Sequence, residues 1–128
     1  MSDKFVIRTE TAPKAIGPYS QAIVAGDLIF TAGQIPLDPS TGKLVKGDFK
    51  ERVRQVLKNI NQILIGAGSC LDCAVKLTVF LTDLSRFGEL NEVFGELFQD
   101  DPPARSAVEV SQLPLGADLE IECIAVRD

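Results

Sequence analysis

Between Val53 and Leu64 the apolar residues Val53, Val56, Leu57, Ile60, Ile63 and Leu64 recur at helical spacing, with Arg54 and Lys58 falling between them. This stripe predicts an α-helix that is apolar on one side only. Such a helix must lay its apolar side on another layer, so the rest of the chain has to supply one. Asp48 with Glu51 three positions on reads as a capping box at its start, and Gly66 or Gly68 as its end. Lys50, Glu51, Arg54 and Lys58 lie off the stripe and are expected on its solvated face.

The partner layer reads as a sheet. Phe5–Arg8, Gln21–Ala25 and Leu28–Ala32 precede the helix as short apolar runs, the last two joined by Gly26-Asp27, a pair suited to a two-residue hairpin turn. After the helix, Ala74–Thr82 alternates, with Val75, Leu77, Val79 and Leu81 on one side and Lys76, Thr78 and Thr82 on the other. A second helix is expected from about Ser85 to Phe98, its aromatics packing into the core, and two strands, Ser106–Val110 and Leu119–Val126, follow. The order β-β-β-α-β-α-β-β predicts an α+β fold with two helices on one face of a sheet. No linker, repeat or low-complexity run interrupts it, so residues 1–128 are expected to form a single domain.

The sheet's second face poses a problem. On the last strand Ile124 and Val126 share the side of Glu120 and Glu122. Apolar positions on a face that no helix covers predict self-association, and a homo-oligomer is expected.

Composition narrows the chemistry. There is no histidine among the 128 residues, which excludes a Ser-His-Asp triad, a Cys-His pair and a His-ligated zinc. Proton transfer is left to carboxylates, Tyr, Lys, Cys, water or the substrate. A formal charge of −5 with no basic stripe argues against a nucleic-acid partner. No apolar run approaches the roughly 18 residues of a membrane span, and no secretory leader is visible, so the expected setting is cytoplasmic, without a membrane. Of the three cysteines, Cys70 and Cys73 form C-L-D-C, but with only Cys123 remaining a zinc site lacks ligands. The motif follows a helix and leads into a strand, opposite to the usual redox arrangement, so two buried or half-buried thiols are expected.

Two residues stand out as candidates. Glu120 and Glu122 project from the same side of the last strand beside apolar neighbours, where desolvation turns a carboxylate into a base. Arg105 follows a double proline, Pro102-Pro103, that restricts its approach, and its fork suits capture of a carboxylate. Together they suggest a site that holds a small acid and acts on it; strand phase alone does not choose between the two glutamates.

Four ordered blocks carry a resemblance: A-P-K-A-I-G-P-Y-S-Q-A from Ala12, F-T-A-G-Q-I-P from Phe30, V-F-L-T-D-L from Val79, and P-P-A-R-S-A-V-E-V-S-Q-L-P-L-G-A-D-L-E-I-E from Pro102. The chain resembles the RidA (YjgF) family from about Ala12 to Val126. The resemblance implies a chorismate-mutase-like homotrimer, sheets facing a central barrel, helices outside and three clefts between subunits. It implies hydrolysis of reactive 2-enamine and 2-imine acids, such as 2-aminoacrylate, to 2-oxo acids and ammonia. That reaction protects pyridoxal-phosphate enzymes, and neither cofactor nor metal is implied. By motif position Arg105 would hold the substrate carboxylate and Glu120 would position or deprotonate the attacking water. Tyr19 would line the cleft, Gly33 and Ala107 would contribute mainly backbone groups, and Asn91 would give support. Two positions depart from the pattern: Ala32 stands where many members carry Ser, and Ala107 where many carry Cys. Two other readings remain: a module that binds small carboxylates without turnover, and an endoribonuclease or translation inhibitor. The acidic charge and the lack of His and Trp argue against the latter.

Overall fold

The computed structural model describes residues 3–127. Strands β1 (Lys4–Ile7), β2 (Ala22–Ala25) and β3 (Leu28–Thr31) come first. Helix α1 (Phe49–Gly66), strand β4 (Ala74–Leu81), helix α2 (Phe87–Leu97) and strands β5 (Ala104–Glu109) and β6 (Leu119–Val126) follow. The strands form one sheet in the order β1-β2-β3-β6-β4-β5, antiparallel except for β4 beside β5. That parallel pair needs a crossover, and α2 is it. The result is the expected α+β layer, two helices on one face of a mixed sheet. Among the described residues no helix is long and apolar enough to cross a membrane.

The stripe of α1 behaves as its spacing requires: Val53, Val56, Leu57, Ile60, Ile63 and Leu64 are fully buried. They meet Val24, Ile29, Leu77, Val79, Leu81, Leu119, Ile121, Cys123 and Ala125, which the pleat turns to the same side. Asp48 caps α1 by accepting a hydrogen bond from the Glu51 N–H at 2.9 Å. Gly68, not Gly66, closes it: at φ +82° its N–H donates to Ile65 O, while Ser69 N–H donates to Leu64 O, the paired bonds of a Schellman ending. Gly26, at φ +62°, supplies the left-handed residue that the β2–β3 hairpin needs at its first central position.

Several sequence expectations are corrected. Val75 does not share the core side of β4. A bulge between Ala74 and Lys76 turns Ala74 inward instead, and Val75 is 41% exposed. The second helix begins at Phe87, because Asp83 accepts hydrogen bonds from the Ser85 N–H and hydroxyl and tightens Leu84–Arg86 into a 3₁₀ turn. Phe87 and Leu97, each 38% exposed, lie outside the core that Leu90, Val93 and Phe94 enter. Lys50 and Arg54 are on the surface of α1 as expected, paired with Glu92 and Glu96 of α2. β5 starts at Ala104 rather than Ser106, so Arg105 lies within the strand and not just before it.

The uncovered face carries Val6, Leu28, Phe30, Val108 and Val126, all exposed, with Ile124 half-buried among them. The long segments that run over this sheet are tied down by buried polar side chains. Gln21 accepts from Thr9 N–H through Oε1 at 2.7 Å, and its Nε2 donates to Pro13 O at 2.7 Å and Thr9 O at 3.1 Å. Asn59 donates to Leu37 O at 2.8 Å, which holds the 34–45 segment to α1. Gln34 and Ile121 exchange both backbone bonds, at 2.8 and 3.0 Å, which extends β6 with one further pairing beyond β3.

Candidate active site

The Gln34–Ile121 pairing is antiparallel, so Gly33 lies diagonally across from Glu120, whose side chain reaches over it. A Cβ on Gly33 would lie 2.6 Å from Glu120 Oε2 and 2.8 Å from its carboxyl carbon, so only glycine leaves the carboxylate where it is. The two form the floor of a cavity of about 270 Å³, which Pro13, Lys14, Ile16, Tyr19 and Pro114 also line. Tyr19 folds its own loop shut: Ile16 N–H donates to its Oη at 3.2 Å, and Tyr19 N–H donates to Gly17 O at 2.8 Å. Its ring also borders a neighbouring cavity of about 420 Å³ lined by Arg8, Thr9 and Glu10.

Glu120 is half-buried, with Phe80 beside it in register on β4. Burial raises its pKa above the ordinary carboxylate value, and the charge of Glu122 adds to the rise. Glu122 is exposed and borders a separate depression with Phe30, Lys76 and Thr78. The two glutamates differ in place: Glu120 lines this cavity and Glu122 does not.

Arg105 lies elsewhere. It pairs in register with Leu77, on the helix side of the sheet, and its guanidinium sits 5.0 Å from the Phe87 ring centroid and 4.9 Å from that of Phe94. Two aromatic faces hold the cation by its flat surface and leave its donor edge open. It makes no ion pair with an acid among the described residues, although acids are abundant. Burial pulls its pKa below the ordinary guanidinium value, and it remains a cation at neutral pH. Ala107, two residues on, is half-buried on the same side against the core. Asn91 is exposed on α2, one turn from both Phe87 and Phe94.

The chain therefore makes two groupings: Tyr19, Gly33 and Glu120 on the uncovered side, and Arg105, Asn91 and Ala107 at the β5 edge beside α2. It does not bring Arg105 and Glu120 together. β4 stands between their strands, and the two side chains project from opposite faces of the sheet. Sequence reasoning missed Phe87 and Phe94 as the seat of Arg105, because aromatics at helical spacing read as core. It also missed Gln21, whose only signal was a polar residue at the head of an apolar strand.

The family model described as endoribonuclease L-PSP matches residues 9–127. A RutC family protein of Pyrococcus horikoshii is 56% identical over 125 residues, covering 98% of this chain and 99% of that one. The 2-iminobutanoate/2-iminopropanoate deaminase of Mus musculus is 48% identical over 122 residues, covering 95% of this chain and 90% of its own. Among solved structures, E. coli TdcF with bound serine is similar at a TM-score of 0.91 and 43% identity, over 97% of this chain and 99% of that one.

Proposed function

Because the chain belongs to the RutC/RidA family, we propose that it is an imine deaminase whose site is completed between subunits of a homotrimer. Small 2-imino and 2-enamino acids, 2-aminoacrylate among them, are the substrates, and hydrolysing them spares pyridoxal-phosphate enzymes from attack. The observation that carries this reading is the division of the two charged groups. A guanidinium without an acid partner among the described residues and a carboxylate with a raised pKa occupy opposite faces of one sheet. Neither half alone both holds and transforms a small acid. A second copy that docks its β5 edge against the uncovered face of the first supplies the missing half and buries the apolar residues there.

In the assembled cleft Arg105 holds the substrate carboxylate by its open donor edge, and Asn91 and Ala107 border that end. Glu120 takes a proton from water as the water oxygen bonds to the imine carbon. Glu120 passes that proton to the imine nitrogen, giving a carbinolamine; its C–N bond then breaks as the oxygen forms C=O, and the hydroxyl proton moves by way of Glu120 to the nitrogen, which leaves as ammonia. The product is a 2-oxo acid. An imine carbon is already electrophilic, so a positioned water and one base meet the chemical need.

The test is complementation between two defective chains. Arg105→Ala and Glu120→Gln proteins, each without turnover, are refolded together in equal amounts. Random assembly gives about one quarter of the clefts an intact pair, hence about one quarter of wild-type activity. A mixture as inactive as its components overturns the shared cleft.

Glu122 gives a second expectation. Activity that depends on ionised Glu120 rises with pH through its raised pKa. Glu122→Gln removes the neighbouring charge, so the acidic limb of the kcat/KM profile moves to lower pH. An unmoved limb would mean that Glu120 is not the titrating base.

Ala32 supports one competing reading. It brings a methyl group next to Gly33, where a hydroxyl would give a bound acid another contact, and a cleft short of that contact fits a module that binds without turnover. Calorimetry with 2-oxobutyrate beside a deaminase assay separates the two, since binding without turnover favours the competitor.

A further inference from the structure

Cys70 and Cys73 have no part in the site above, yet their Sγ atoms lie 3.6 Å apart. Cys70 caps a single 3₁₀ turn, Leu71–Cys73, between α1 and β4, and Cys73 N–H donates to Cys70 O at 3.0 Å. That bond makes Cys70–Cys73 a closed turn, whose end Cα atoms stand within about 7 Å. A disulfide spans about 4.4–6.8 Å between Cα atoms, so the turn is already near bonding geometry. The turn is held from outside: Leu71 N–H donates to Asn61 Oδ1 at 2.9 Å, and the Ser69 hydroxyl donates to Val126 O at 2.7 Å. Both thiols are half-buried and therefore within reach of a small reagent, whereas Cys123 is 2% exposed.

We propose that Cys70 and Cys73 form a dithiol that low-molecular-weight disulfides oxidise reversibly to an intrachain disulfide. Either thiol can open the exchange, here with Cys73 as the first nucleophile. The Cys73 thiolate bonds to one sulfur of oxidised glutathione, whose S–S bond breaks and releases one glutathione thiolate. Cys70 then loses its proton and attacks Cys73 Sγ; the Cys70–Cys73 bond forms, the bond to glutathione breaks, and a second thiolate leaves. Two cysteine thiols are oxidised, one disulfide is reduced to two thiols, and the two cysteine protons end on glutathione. The loop closed is so short that the bond constrains little of the unfolded chain, so it serves as a redox mark rather than a staple.

The folded, full-length protein is treated with excess oxidised glutathione, quenched in acid, alkylated and weighed intact. The expected product has lost two hydrogens, retains one alkylatable thiol of three, and yields a peptide linking Cys70 to Cys73. Cys70→Ser stops at the first step and keeps one glutathione on Cys73; dithiothreitol restores both proteins. The proposal is overturned if the wild type stays fully reduced, retains bound glutathione, or links either cysteine to Cys123. A buried Cys123 thiol, its pKa pushed up to about 12, stays unreacted in the native fold.

Discussion

Glu120→Gln lowers kcat for imine hydrolysis by about 10²–10⁴-fold, the usual worth of a positioned general base. The amide keeps the size and shape of the carboxylate but cannot take a proton from water. On the proposed arrangement Arg105 holds the substrate carboxylate at the other end of the cleft, so KM changes much less than kcat. Thermal stability does not fall, because the substitution removes a half-buried charge that stands near Glu122. Keto-acid release followed in a coupled assay, beside thermal melting, gives both quantities. Wild-type turnover in this variant would remove Glu120 from the reaction altogether, whatever the assembly.

The second large effect comes from a residue with no side chain. Gly33→Ala puts a methyl group where the Glu120 carboxyl now lies, 2.6 Å from Oε2 and 3.0 Å from Cγ. The atoms met are the far end of a flexible side chain, so the fold yields there at little cost and Glu120 swings away. Displacing a catalytic group by about 1 Å costs on the order of 10²-fold in rate. The expected result is therefore a loss of that size in kcat with the melting temperature nearly unchanged, and a pH profile that no longer reports the raised pKa. A variant that melts far below wild type would show that Gly33 serves the fold rather than the carboxylate.

Much of this architecture was legible before any coordinates. The α1 stripe, the Asp48 cap, the Gly26 turn and the alternation of β6 each follow from local rules, and each appears in the fold with its boundary within a few residues. Val75 was misplaced because a bulge breaks the two-residue period without leaving a mark in the sequence. Ser85 was misassigned because an aspartate that caps a 3₁₀ turn looks the same in sequence as one that caps a helix. The site was harder. Period two placed Glu120 and Glu122 on one side, but the Gln34–Ile121 pairing, between residues far apart in the chain, is what brings Gly33 to that side, where the Glu120 side chain leans over it. Arg105 stood out in the sequence by its residue type and the double proline before it, while its seat on Phe87 and Phe94 depends on how α2 crosses β5, which no local pattern encodes. That Arg105 and Glu120 face away from each other is a property of sheet order, and sheet order is not written in any single strand.

If the two groups that one sheet holds back to back meet only across subunits, as proposed, activity becomes a matter of mass action. On the proposed arrangement, diluting the chain below the concentration at which copies associate extinguishes turnover without unfolding anything, and specific activity rises with protein concentration before it levels off. A ligand that bridges both charges would draw subunits together, so substrate itself would lower the concentration at which the plateau is reached.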